Sequence, residues 1–195
     1  MRSDHIEPGA ADIKAFLDGR GTHVWIMRLE KPSGQDPLIN TIIKRYLTNE
    51  FKIVKSPNGK PLIKSDFNKQ LHISITHSGP IMVLALSFLG PFGIDLETLK
   101  ERAHMDRVRR RYFTESCPTM LDFYQAWTAR EAFIKSQGDR LFSLIKKIRV
   151  LHIDNKFLIG LKDYSHQVFF HQWDDFLLAI CLDNSRDKYL KYFYI

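Results

Sequence analysis

Apolar positions in this chain fall into short runs with two different spacings. Leu38, Ile42, Ile43, Tyr46 and Leu47 recur at intervals of about three and four, which predicts a helix from about Asp36 to Glu50. Val24 to Leu29, Leu71 to Thr76 and Ile81 to Phe88 are short, apolar and bounded by Gly or Pro, which reads as strands. His77-Ser78-Gly79-Pro80 turns the second of these into the third. Gly90-Pro91 turns again, and Phe92 to Glu97 returns, so a small antiparallel meander is expected. Lys31 to Pro37 and Ser56 to Pro61 read as loops.

The second half opens on helices. Met105 to Phe113 is a basic helix. Pro118 suits the first turn of a long helix running through Ser136, and Gly138 suits its C-terminal cap. Strands follow near Ile148 to Ile153, Lys156 to Leu161, Gln167 to Trp173 and Phe176 to Leu182, with Asp174-Asp175 turning the last pair. Each half is thus a helix followed by antiparallel strands. The expectation is an α+β fold of two similar lobes, 1–98 and 99–195, forming one compact unit with any active site between them.

Composition narrows the class. The chain has 195 residues, 44% of them hydrophobic, and 14 Phe, which is globular rather than disordered composition. Its two cysteines, Cys117 and Cys181, have no metal or redox spacing and read as reduced packing residues. The N-terminus is polar and no apolar run approaches the ~18 residues of a membrane span, so a cytoplasmic protein is expected. The formal net charge of +7 favours anionic partners. It is concentrated at Arg102, Arg107, Arg109, Arg110 and Arg111, and again at Lys44, Arg45, Lys52, Lys55, Lys60 and Lys64.

The chemistry centres on Asp95 and Glu97. Side chains two apart on a strand share a face, so both carboxylates project together while Ile94 and Leu96 point to the other side. Paired like charges call for a cation, and oxygen donors suit magnesium. Trp127, Glu131 and Lys135 follow at i, i+4 and i+8 of the long helix, adding a third carboxylate and a phosphate-binding ammonium on one face. His77 and Ser78, at a strand end, could bind an anion. No hydrolytic triad and no P-loop is present.

Four segments then occur in order: Gly59-Lys60-Pro61, Ser74 to Ser78, Gly93 to Glu97, and Trp127 to Lys135 with Arg130, Glu131 and Ala132 inside it. Their order and spacing resemble those of the 4′-phosphopantetheinyl transferases, in particular the larger monomeric surfactin-type class. The resemblance implies a pseudo-twofold α+β fold with coenzyme A between the halves. It implies Mg²⁺-dependent transfer of 4′-phosphopantetheine from coenzyme A to a serine of an apo acyl or peptidyl carrier protein, releasing adenosine 3′,5′-bisphosphate. Asp95, Glu97 and Glu131 would bind the metal, and Lys135 the pyrophosphate. Glu131 and Lys135 would be catalytic; either Glu131 or a metal-bound water would take the serine proton. His77 and Ser78 would hold the 3′-phosphate side, Lys60 and Pro61 would line the nucleotide site, and Arg45 falls near a nucleotide-touching position.

Some positions depart from that pattern. Arg130 stands where the family usually has Lys, and Thr76 where Ser is common. The basic cluster usual before the first helix is reduced to Lys31 as its nearest candidate. The residues alone also permit a metal-dependent nuclease or a coenzyme A-binding protein without turnover. Nuclease cores usually place Glu-x-Lys on one strand, whereas Thr98 and Leu99 follow Glu97, so no nucleic-acid or membrane partner is expected. The basic Arg102 to Arg111 stretch would steer an acidic carrier protein.

Overall fold

The computed structural model describes residues 6–30, 35–113, 116–138, 145–163, 165–183 and 189–195. The architecture is mixed α and β, and the chain divides into two compact units, Met1–Pro91 with Asp187–Ile195, and Phe92–Arg186.

The first unit contains α1 (Ala10–Leu17), β1 (Thr22–Arg28), α2 (Gln35–Ile43), β2 (Phe51–Lys55), β3 (Pro61–Ser65), β4 (His72–Ser78), β5 (Ile81–Ser87) and β11 (Leu190–Tyr194). Its main sheet runs β11-β1-β5-β4, and β2-β3 is a separate hairpin. β1 and β5 are central strands and read as nearly unbroken apolar runs, as strands covered on both faces do. Phe16, Ile39, Ile42 and Ile43 from the helices pack with Trp25, Met27, Leu84 and Phe193 from the sheet.

A polar chain runs through that core. Trp25 Nε1 donates to the Tyr46 hydroxyl at 3.0 Å, and the same hydroxyl lies 2.9 Å from His23 Nδ1. An indole only donates, so the Tyr46 oxygen accepts from Trp25 while it also meets the His23 imidazole. Burial pushes its pKa down to about 4, partly offset by Asp12.

The second unit contains β6 (Gly93–Thr98), α3 (Met105–Tyr112), α4 (Met120–Gln137), β7 (Arg149–Ile153), β8 (Lys156–Gly160), β9 (His166–Trp173) and β10 (Phe176–Asp183). Its antiparallel sheet runs β6-β10-β9-β8-β7. α4 starts on a capping box between Thr119 and Asp122 and ends on Gly138 in the left-handed conformation (φ +67°). Ala129, Ala132 and Phe133 seat it on Val168, Ala179 and Cys181. Among the described residues, no helix is long and apolar enough to cross a membrane.

Several expectations change. β6 does not complete a meander on β5; it pairs with β10, with Asp95 opposite Ala179 and Glu97 opposite Leu177. The expected 98/99 division therefore moves: β6 joins the second unit, and β11 returns to the first by pairing parallel to β1. That parallel pair also makes the first sheet mixed rather than purely antiparallel. α2 stops at Ile43; Tyr46 and Leu47 are buried beyond its end, which gave the apolar spacing its apparent extra turn. The Ser56 to Pro61 loop is the turn of β2-β3, and α1, β2, β3 and β11 were not anticipated. Lys31 and the start of the expected Lys31 to Pro37 loop lie outside the described residues.

Candidate active site

Gly93 lets β6 and α4 meet. A Cβ there would lie 2.0 Å from the Ala132 carbonyl oxygen and 2.5 Å from the Ser136 nitrogen, both helix backbone atoms. Only a residue without a side chain permits that approach. Asp95 and Glu97 follow at the same alternation as Gly93, so they face the same helix. The Lys135 ammonium donates to Asp95 Oδ1 at 2.7 Å, directly joining the strand and helix residues picked out in the sequence.

The electrostatics of this cluster are those of crowded carboxylates. Glu131 is pushed up to about 8, first by burial, then by the Asp95 charge; a hydrogen bond with Asp95 and the Glu97 charge add to the rise, and Lys135 opposes it. Glu97 is raised by burial and by Asp95, while Arg102 and a hydrogen bond from Trp127 pull it back. Asp95 is 4% exposed, so its charge acts through little water.

Arg102 is the neighbour of the carboxylate cluster that sequence reasoning missed. Its Nη2 donates to Glu97 Oε2 at 2.8 Å. It appeared in the sequence only as one of a basic run, because an i, i+5 contact across the end of a strand follows no periodic pattern. Trp127 Nε1 was likewise unassigned, although its position on the Glu131–Lys135 face was evident.

Arg130 is fully buried. Its guanidinium donates to the Ala126 carbonyl at 2.9 Å and lies 4.5 Å from the Phe113 ring centroid. It therefore braces α4 from beneath.

The remaining predicted positions stand on different elements of the first unit. Lys60 and Pro61 sit at the β2-β3 turn, which Gly59 (φ +86°) closes; the Lys60 amide donates to Ser56 Oγ at 3.0 Å. Lys60 is half-buried, and burial lowers its pKa. His77 is exposed and Ser78 half-buried at the end of β4, opposite Met82 and Ile81. Arg45, just past α2, makes a bidentate pair with Glu7 at 2.8 and 3.0 Å and lies 5.5 Å from the Trp25 ring centroid. An anion reaching Arg45 competes with that carboxylate.

Among the described residues no three His, Cys, Asp or Glu side chains converge as a finished metal cage. Lys135 takes Asp95 and Arg102 takes Glu97 instead. The donor set still suits magnesium: three hard carboxylates within one another's field, carried by two adjoining elements.

A family model, described as the 4′-phosphopantetheinyl transferase superfamily, matches residues 91–181. That span contains the whole Asp95, Glu97, Glu131 and Lys135 constellation. By this match the chain is similar to the 4′-phosphopantetheinyl transferases. The 4′-phosphopantetheinyl transferase HetI of Nostoc sp. is 27% identical over 55% of this chain and 51% of its own length. A 4′-phosphopantetheinyl transferase of Bacillus subtilis is 30% identical over 63% and 59%. The transferase Sfp of Bacillus subtilis strain 168 is 25% identical over 75% and 70%. The chain spans about half the length of the first relatives it matches. The β6–α4 junction is the part covered by both the family match and the sequence constellation.

Proposed function

We propose that this chain transfers the 4′-phosphopantetheine arm of coenzyme A to a serine of an apo acyl or peptidyl carrier protein, with release of adenosine 3′,5′-bisphosphate. The observation that carries the reading is the junction of β6 and α4, where Asp95, Glu97 and Glu131 crowd together beside the Lys135 ammonium. The relatives are named 4′-phosphopantetheinyl transferases, which supports the transfer of that group. The alignment with Sfp extends over three quarters of this chain and favours the larger surfactin-type class.

In this reading Asp95, Glu97 and Glu131 hold Mg²⁺, which would neutralise pyrophosphate charge when bound. The serine Oγ–P bond forms at the β-phosphate as the P–O bond to adenosine bisphosphate breaks, and the serine proton passes to Glu131 or to water. Lys135, beside Asp95, places a positive charge where the leaving phosphate gains a negative one. Arg45, Lys60, Pro61, His77 and Ser78 belong to the coenzyme A end of the reaction, a role that rests on the motif resemblance. The carrier is acidic and meets the basic face of α3, where Arg107 and Arg110 are exposed. The protein would act as a cytoplasmic monomer.

The test is direct. The chain is incubated with coenzyme A, Mg²⁺ and a panel of apo carriers, and carrier mass is measured. One added phosphopantetheine per carrier serine, abolished in Asp95→Ala, is the expected result. No mass gain on any carrier would sink the proposal.

A further inference from the structure

We propose that Arg102 is the resident counter-ion of Glu97, one that a divalent cation must displace, so that Arg102 sets the metal affinity of the carboxylate cluster. The inference rests on Asp95, Glu97 and Glu131 being the metal ligands.

The geometry is that of a latch. Arg102 Nη2 holds Glu97 Oε2 at 2.8 Å, and the Glu97 side chain is only 17% exposed, so the pair is partly shielded from water. The guanidinium carbon lies 5.8 Å from the Tyr124 ring centroid, and the Tyr124 hydroxyl is itself fixed to the Lys100 carbonyl at 2.7 Å. The Arg102 amide is anchored on Met105 Sδ. Backbone and aromatic support therefore keep the guanidinium on the carboxylate.

The latch can also open. The Arg102 Nε is buried and has no hydrogen-bond partner among the described residues, so the guanidinium is not locked on every side. Arg102 lines a pocket of about 610 Å³ together with Glu101, Met105, Asp106, Arg109 and Met120. When Glu97 turns to a cation, the guanidinium has space to enter and carboxylates to meet. The cost of that exchange enters the metal affinity directly. Removing it should tighten binding by roughly two- to fivefold, the upper part of the range for a single partly exposed ion pair. Lys135 holds Asp95 in a similar way, but Lys135 already has a role toward phosphate; Arg102 has none.

The experiment titrates Mn²⁺ alone, without coenzyme A or carrier, into the full chain and into Arg102→Met and Arg102→Gln. Calorimetry and the electron paramagnetic resonance signal of free Mn²⁺ report Kd. Both variants should bind about two- to fivefold tighter than the parent. Arg102→Lys should stay near the parent, and Arg109→Met, whose guanidinium pairs with Asp106, should match it. A purely structural Arg102 would lower the melting temperature without tightening binding. Equal or weaker Mn²⁺ affinity in both variants overturns the proposal while leaving the metal site standing. No Mn²⁺ uptake by parent or variants overturns the proposal and the metal reading together.

Discussion

Gly93→Ala is the sharpest single perturbation of this protein. The added methyl would sit 2.0 Å from the Ala132 carbonyl oxygen, where real contacts of this type keep to 3.0 Å or more, so the backbones must part by at least 1.0 Å. Both neighbours are held. β6 is hydrogen-bonded along β10 from Gly93 to Thr98, and α4 is seated on the sheet through Ala129, Ala132 and Phe133. Neither relaxes by rotating a side chain. Overpacking between two backbones should cost about 3 kcal/mol or somewhat more. For a chain of this size that is roughly 6–12 °C in Tm. The same movement carries Glu131 on α4 away from Asp95 and Glu97 on β6, so Mn²⁺ affinity and turnover should fall together with stability. The control is Gly79→Ala, where nothing lies within 4 Å but φ is +55°. Only left-handed strain applies there, about 1 kcal/mol. Thermal melts and urea unfolding of the two variants decide the matter. A Gly93→Ala protein as stable as Gly79→Ala would refute the claim that this glycine sets the strand–helix approach.

Lys135→Met takes the ammonium from the buried Asp95 carboxylate, so it should cost about 3 kcal/mol in urea melts and also reduce kcat by roughly 10²-fold or more; single-turnover kinetics would separate this from weaker coenzyme A binding. Arg130→Lys should keep turnover but cost about 1–2 kcal/mol in urea melts, since an ammonium cannot match the planar guanidinium over Phe113 while reaching the Ala126 carbonyl. His23 predicts an acid limb of stability. Its folded pKa of about 4 lies below its ordinary 6.5, so its contribution is complete above pH 6.5 and declines as pH falls toward 4, by about 3 kcal/mol in total. A His23→Gln variant should flatten that limb in pH-dependent melts; an unchanged slope would remove His23 as its source. Charge reversal at Arg107 and Arg110 should raise the carrier's KM and leave coenzyme A binding unchanged, and equal KM values would place docking elsewhere.

What the sequence revealed of this site, and what it concealed, follows from the range of each signal. The shared face of Asp95 and Glu97 is a period-two property of one strand. The shared face of Trp127, Glu131 and Lys135 is a property of one helix. Both were legible because they need no knowledge of the rest of the chain, and Gly93 just ahead of the acidic pair marked a close backbone approach. The strand partner of β6 was not legible. β6 is apolar enough to pair with either β5 or β10, and local alternation is the same in both cases. Sequence proximity favoured β5; the fold chose β10, about 80 residues away.

That choice has a functional consequence. Had β6 completed a hairpin with β5, its acidic face would belong to the first unit. α4, whose contacts are with the second sheet, would then lack the carboxylate that Lys135 holds. Pairing with β10 puts β6 in the sheet that carries α4 through Ala179 and Cys181. The register then sets Asp95 opposite Ala179, a residue small enough for α4 to lie close over that pair of strands. A bulky residue at 179 would lift the helix from the sheet on one side as surely as a methyl at 93 lifts it on the other. The carboxylate cluster is therefore a product of small residues on β6, β10 and α4 as much as of its acids. Substitutions at Gly93, Ala132 and Ala179 should act on metal affinity without touching any group that carries charge.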